Sequence, residues 1–194
     1  MSGFSTARQK MVDGQVRPSD VTDIRIIDAM LAVPRETFVP ENKRALAYLD
    51  LDLDVSAGGS AGLYLIKPAV LAKMLQAAEI KETDRVLVVG CGSGYAAAVI
   101  GKFAGQVHSA NSADGDSANA PFDVIVLNGA TEIVPEKLYG QLRDGGRLVG
   151  VFAMSQPPRA TIVTRSHGDF GNRALFDASA PVLPGMERLP AFVF

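Results

Sequence analysis

The sequence predicts an α/β protein built on a Rossmann-like, doubly wound sheet. Three stretches carry that expectation. Arg85-Val86-Leu87-Val88-Val89 is a strand-forming, mostly β-branched run that passes into Gly90-Cys91-Gly92-Ser93-Gly94-Tyr95 and then into helix-forming Ala96-Ala97-Ala98-Val99-Ile100. Phe122-Asp123-Val124-Ile125-Val126-Leu127 is a second buried-strand run, and Arg147-Leu148-Val149-Gly150-Val151-Phe152 is a third. All of 1–194 is expected to be one domain, with an N-terminal helical and loop region at 1–80 and the sheet core at 81–194.

The glycine turn is the element with chemistry in it. A strand, a tight turn and a helix N-terminus bring backbone N–H groups and a helix dipole up to a ligand. Glycines permit positive φ and a close approach of backbone to that ligand. A nicotinamide or flavin fingerprint, G-x-G-x-x-G, needs a third glycine where Tyr95 stands; here it falls one residue early, at Gly94. The spacing G-x-G-x-G after a first strand is similar to the cofactor loop of S-adenosylmethionine-dependent methyltransferases. Gly90, Cys91, Gly92, Ser93 and Gly94 are therefore the candidate cofactor-binding residues.

Composition narrows the class. The 194 residues are 47% hydrophobic and 21% charged, as in an ordinary globular protein. A net charge of -2 argues against a nucleic-acid partner. Cys91 is the one cysteine, so no internal disulfide forms. No apolar run reaches membrane-spanning length, the first ten residues lack a signal-peptide core, and a cytoplasmic location is the expectation.

Taken in order, residues 1–19 suit a short helix before Pro18. Asp20 is the expected N-cap of a helix carrying Ile24, Ile27, Met30 and Leu31, closed by Pro34, and Pro40 opens a short helix through Tyr48. Leu49, Leu51, Leu53 and Val55 alternate with Asp50, Asp52 and Asp54, the pattern of an extended strand with a solvated acidic edge and no metal site. Ser56–Gly62 reads as a flexible loop, and Pro68 starts a helix from Ala69 to Ile80. After the glycine turn a helix is expected to about Phe103, then a short strand Gln106–Ser109. Pro135 is expected to start a helix through Leu142, and Thr161–Thr164 with Ala174–Phe176 an antiparallel pair. His108 and His167 have no partners at ligand spacing and read as strand-end or loop residues.

A doubly wound domain should supply a helix, a third strand and a return crossover after Ser109. Ala110–Pro121 instead holds only Ala, Asn, Ser, Asp, Gly and Pro, which can neither fill a core nor pair as a buried strand. The third strand and its helix are therefore expected to be missing. A plain loop can make the connection, since twelve residues extend to about 40 Å. Gln106–Ser109 then becomes a sheet edge, which invites a homodimer.

At this point the residues resemble a known family, protein-L-isoaspartate O-methyltransferase. Ala29–Arg35 with Phe38-Val39-Pro40, Ala47-Tyr48 and Asp50 follow its N-terminal pattern, and Val86–Tyr95 resembles its V-L-E-I-G-x-G-S-G-Y motif. Ala120–Ile125 and the run from Val134-Pro135 through Gly145-Gly146-Arg147-Leu148-Val149 are similar to its later segments. The resemblance implies methyl transfer from S-adenosylmethionine to a protein or peptide carboxylate, the isoaspartyl repair reaction. It also marks departures. The family's acid in V-L-E-I-G falls on Val88, and its ribose-binding carboxylate falls on Ser109-Ala110-Asn111, leaving Asn111 as an amide substitute. The acceptor loop G-Q-T-I-S-Q-P aligns with Gly62–Pro68, replacing Thr and Ser with Tyr64 and Ile66. Asn111 and Asn128 join the cofactor candidates, with Asn128 expected to face the acceptor; Ser60, Tyr64 and Lys67 are the acceptor candidates, and no catalytic acid, base or metal ligand is assigned. Three readings stand open: an isoaspartyl methyltransferase, a relative with a changed and more apolar acceptor pocket, and a non-catalytic relative with a degraded cofactor site.

Overall fold

A computed structural model of the protein describes residues 3–56 and 62–189. The N-terminal region is helical. Helix α1 (Gly3–Met11) continues through a π-helical turn at Val12–Val16 and a 3-10 turn at Arg17–Ser19, longer than the short helix expected. Helix α2 (Ile24–Ala32) is capped by Asp23, whose side chain accepts from the Arg25 N–H, and not by Asp20. Asp20 instead takes a left-handed conformation (φ 62) that ends the preceding turn, which leaves Asp23 as the first extended residue able to reach the helix N-terminus. The Arg25 guanidinium beside Asp23 holds its carboxyl below the usual range. Short 3-10 turns follow at Arg35–Phe38 and Glu41–Leu46.

The alternating Leu/Asp stretch forms less strand than its pattern suggests. Only β1 (Leu53–Asp54) pairs, antiparallel with β2 (Tyr64–Leu65), while Leu49 stands exposed. The carboxylates are used locally: Asp52 Oδ1 accepts from the Lys67 N–H at 2.9 Å and Asp54 Oδ1 from the Ser56 N–H at 2.9 Å. The expected flexible loop lies mostly at 57–61, outside the described residues, as does Ser60. Helix α3 (Pro68–Ala78) begins at its proline, where the missing N–H costs nothing.

The sheet has the expected centre. Strand β3 (Arg85–Val89) lies between β4 (Gln106–Ala110) and β5 (Phe122–Thr131), parallel to both, with helix α4 (Tyr95–Ile100) between β3 and β4 in sequence. Beyond β5 come helix α5 (Glu136–Tyr139), parallel β6 (Leu142–Phe152), and antiparallel β7 (Arg159–Ser166) and β8 (Asp169–Asp177), in the order β4-β3-β5-β6-β7-β8. Ala110–Pro121 holds no helix and no further strand, so β4 is the edge of the sheet among the described residues.

Several boundaries differ from expectation for a common reason, pairing with a distant strand. The helix from Pro135 stops at Tyr139 because the Gln141 carbonyl accepts from the Phe122 N–H at 2.8 Å and Leu142 pairs with Phe122. Strand β5 runs past Leu127 to Thr131 through an irregularity between Val126 and Ala130, because Ala130 and Thr131 also pair with Val151 and Phe152. The β7–β8 hairpin takes in most of the expected loop, turning at His167 and Gly168. The helix after the glycine turn ends at Ile100, three residues short.

Alternation along the strands builds two cores. Val86, Val88, Val124, Val126, Val149 and Val151 face the N-terminal helices, while Leu87, Val89, Ile125, Leu127 and Leu148 face the other side. That second side is covered by Leu138 of α5 and by Leu183 and Met186 from the chain after β8. Main-chain bonds hold this segment to the end of β5: Ala130 N–H to the Pro181 carbonyl (2.8 Å), Leu183 N–H to the Ala130 carbonyl (2.9 Å) and Glu132 N–H to the Met186 carbonyl (2.9 Å). The crossing loop is clamped by buried Gln141, which accepts from the Asp116 N–H and donates to the Asp114 carbonyl.

Candidate active site

The glycine turn stands at the C-terminal end of β3, where open parallel sheets bind ligands. Gly90, Gly92 and Gly94 all have positive φ (73°, 57° and 94°), so the spacing read from sequence reflects a backbone path that side-chain-bearing residues resist. Gly90 is closed over: its N–H donates to the Ala110 carbonyl at 2.8 Å, and a Cβ there would stand 2.2 Å from Leu183 Cδ2. Gly94 is open towards the described residues, among which a Cβ would meet only Phe38 Cε1, at 3.9 Å. A Cβ at Gly92 would lie 3.5 Å from Val55 Cγ2, 3.6 Å from Leu63 Cβ and 3.8 Å from the Tyr64 carbonyl, in the gap between the turn and the segment leading to α3. Cys91 is buried and Ser93 exposed.

Asn128 joins the two halves of the site. It is 2% exposed, and its amide Nδ2 donates to the Tyr64 carbonyl and to the Gly90 carbonyl, each at 2.9 Å. Its amide nitrogen is thus spent on holding β2 against the glycine turn, whereas the sequence suggested that it faces an acceptor. Asn111 is exposed just beyond β4, and its Oδ1 accepts from the Gly92 N–H at 3.2 Å. The structure thus brings Gly90–Gly94, Asn111, Asn128 and Tyr64 together.

The acceptor candidates are placed less uniformly. Tyr64 is half-buried, with its ring folded back towards Gly62, where a Cβ would stand 2.9 Å from Tyr64 Cε2. Lys67 precedes α3 and uses its backbone N–H on Asp52, whose carboxyl burial pushes up. Ile66 is 1% exposed and belongs to the core on the helical side. That cluster also holds Cys91 and Tyr95 of the glycine turn, so Ile66 contributes apolar packing there. His108 packs edge-on to Phe122 at 5.5 Å and lies 3.7 Å from Asp116, and His167 sits in the β7–β8 turn; neither reaches the glycine turn. Leu183 was invisible to sequence reasoning, because its contact with Gly90 spans most of the sheet core. Arg35 was visible only as part of the N-terminal run.

Comparison with known proteins turns this geometry into an assignment. A profile of the family described as Protein-L-isoaspartate(D-aspartate) O-methyltransferase (PCMT) matches residues 6–114 and 104–168. The chain belongs to the protein-L-isoaspartate O-methyltransferase family. The two matched pieces meet at 104–114, where the third strand and its helix would begin. A protein-L-isoaspartate O-methyltransferase of Rhodopseudomonas palustris (strain ATCC BAA-98 / CGA009) is 35% identical over 206 residues, covering 91% of this chain and 93% of its own. That aligned length exceeds the 194 residues present here, so the relative carries residues this chain lacks. The enzyme of the same name from Koribacter versatilis (strain Ellin345) is 33% identical over 176 residues, 77% of this chain and 78% of its own.

Solved structures of this family share the fold. One protein-L-isoaspartate O-methyltransferase superposes with a TM-score of 0.77 at 21% identity, over 92% of this chain and 66% of that longer one. A putative family member from Plasmodium falciparum, in complex with S-adenosyl-L-homocysteine, superposes with a TM-score of 0.72 at 17% identity, over 94% of this chain and 99% of its own. Among the described residues no helix is long and apolar enough to cross a membrane.

Proposed function

We propose that the protein is a carboxyl methyltransferase of the isoaspartyl type that binds S-adenosylmethionine weakly. The observation that carries this reading is the Asn128 bridge, which joins the Tyr64 carbonyl of the acceptor segment to the Gly90 carbonyl of the glycine turn. Cofactor turn and acceptor segment therefore meet at one end of the sheet.

The residues present fit the cofactor at one end better than at the other. Gly94, where a Cβ would meet no described atom nearer than 3.9 Å, leaves room beside the turn for the methionine end. On the ribose side the family pattern implies a carboxylate, and Asn111 stands there with its oxygen already shared with Gly92. When bound, S-adenosylmethionine supplies an electrophilic methyl group, and passing it to a carboxylate oxygen breaks one C–S bond, forms one C–O bond and moves no proton. An acceptor carboxylate is already ionised near pH 7, so no catalytic acid or base is required of the chain. The work left to its residues is orientation and exclusion of water. Gly90–Gly94 set the position of the methionine end, and Asn128 keeps Tyr64 in register with that turn. Lys67, just before α3, is the cation within the segment and is the residue to attract an acceptor carboxylate as a point charge.

Turnover should be slow. The segment 62–68 lacks the hydroxyl-bearing pair of the family pattern, and an unmet polar partner in a desolvated site costs about 1–3 kcal/mol. The test is transfer of a labelled methyl group to an isoaspartyl peptide, with the matching aspartyl peptide as control and calorimetric titration of S-adenosylmethionine alongside. Slow or barely detectable labelling confined to the isoaspartyl peptide, with measurable cofactor binding, is the expected outcome. Equal labelling of both peptides points to a changed acceptor, and absence of any cofactor binding points to a non-catalytic relative; either result overturns the proposal.

The same reading includes a cytoplasmic location and a homodimer paired through β4. Among the described residues no strand covers the outer side of Gln106–Ala110, and unpaired strand edges recruit a second chain. Sedimentation should show mass rising towards that of a dimer with concentration. A strictly monomeric mass together with well-protected amides at Val107 and His108 would refute the pairing.

A further inference from the structure

Arg35 is 1% exposed, rare for a side chain that carries a full charge. It follows Pro34, which fixes entry into the 3-10 turn at Arg35–Phe38, and it reaches across three separate parts of the chain. Its Nε donates to the Ala47 carbonyl at 2.7 Å and its Nη2 to the Ile66 carbonyl at 2.9 Å. Its guanidinium carbon lies 4.7 Å from the centre of the Tyr95 ring. Ile66 belongs to the acceptor segment, and Tyr95 directly follows Gly94 and opens α4. One planar cation is thus bonded to the acceptor segment and stacked on the residue that ends the cofactor turn.

The electrostatics are costly and specific. Burial pulls the guanidinium pKa down, and Tyr95, Tyr48 and Asp52 oppose that pull; burial raises Tyr95 in turn. Arg35 Nη1 and Tyr95 Oη are buried with no well-aligned hydrogen bond among the described residues, and each side chain relies on the other for its polar contact. A well-packed apolar side chain at this place would avoid both costs, so stability alone is a poor reason for an arginine here. Lysine cannot supply two divergent N–H donors and a flat stacking face together.

Resting on the methyltransferase reading above, we infer that Arg35 is a positioning residue that couples the acceptor segment to the glycine turn through the Ile66 carbonyl and the Tyr95 ring. Asn128 makes a second link two residues earlier, from the Tyr64 carbonyl to the Gly90 carbonyl. Between them the two side chains hold successive stretches of the acceptor segment to opposite ends of the turn.

The test uses the full chain with Arg35→Lys, Arg35→Met and Tyr95→Leu, followed by amide hydrogen exchange and by calorimetric titration of S-adenosylhomocysteine. Arg35→Lys should raise exchange about tenfold at the amides of Leu65, Ile66 and Lys67 and also at Gly94 and Tyr95, with a similar loss of affinity. Tyr95→Leu, which keeps the Ile66 bond and removes the stack, should loosen the turn more than the acceptor segment and serves if the Arg35 variants fail to fold. Loosening of only one segment in Arg35→Lys, equal loosening of the whole chain, or equal loosening of the turn and the acceptor segment in Tyr95→Leu would leave Arg35 a structural residue and overturn the inference. If the parent binds no S-adenosylhomocysteine but the two segments still loosen together, the functional reading fails while the coupling stands.

Discussion

Replacing Gly92 by Val is expected to take S-adenosylhomocysteine binding below detection while the protein stays folded. Gly92 holds φ +57, a left-handed conformation that costs an L-residue about 1–2 kcal/mol and a β-branched one more. The Cβ itself would make ordinary contacts, the nearest at 3.5 Å to Val55 Cγ2, so the fold can absorb it. The two added methyl groups would crowd the turn against Leu63 and the Tyr64 carbonyl, where the proposed reading puts the cofactor. A loss of about 2–4 °C in melting temperature per kcal/mol is the expected scale for a chain of this size. Gly90 would make a poorer test, because a Cβ there would stand 2.2 Å from Leu183 Cδ2 and the C-terminal segment would have to move. Calorimetric titration beside a thermal melt decides the matter. A folded Gly92→Val protein that binds as the parent does would place the cofactor elsewhere.

Replacing Asn111 by Asp is expected to act in the opposite direction, tightening S-adenosylhomocysteine by roughly 10- to 100-fold. Asn111 accepts from the Gly92 N–H through Oδ1, and its amide nitrogen can donate but not accept. A carboxylate keeps that bond and offers a second oxygen to the ribose hydroxyls. Hydrogen bonds to a charged group contribute about 1.5–3 kcal/mol, the source of the range above. Asn111 is exposed, so screening should bring the gain towards the lower end and make it fall with added salt. Titrations at two ionic strengths test both parts. An unchanged affinity would show that the ribose does not lie at the end of β4, and the weakness attributed to Asn111 would need another origin.

The shortened sheet gives both results a structural context. A Cβ at Gly115 would stand 2.6 Å from Leu138 Cδ2 and 2.6 Å from Gln141 Oε1, so the crossing loop is docked on α5 and the chain leading from it, and not merely strung between strands. Leu183 and Met186 occupy part of the face that a further helix would have covered. Buried Leu183 and Met186 thus complete the core on that side of the sheet.

What the residues alone determined was whatever depends on local pattern. Continuous, mostly β-branched apolar runs at 86–89 and 124–127 specified buried parallel strands, glycines two apart specified a turn of positive φ, and the lack of branched apolar side chains across 110–121 ruled out a third strand. The ordered series of family segments was legible too, because each is short and contiguous. Element ends were less legible: Leu142 left its helix because Phe122, twenty positions earlier, offered a strand to pair with. The working contacts of the site were decided only in three dimensions. Asn128 was placed by two carbonyls from separate segments, Asn111 by one N–H across the turn, Leu183 by the bare faces of Gly90 and Gly129, and Arg35 by Ala47, Ile66 and Tyr95 together. Periodicity records which face of an element is apolar, but a hydrogen bond between distant segments depends on how those faces come to rest, and no short stretch of sequence carries that information.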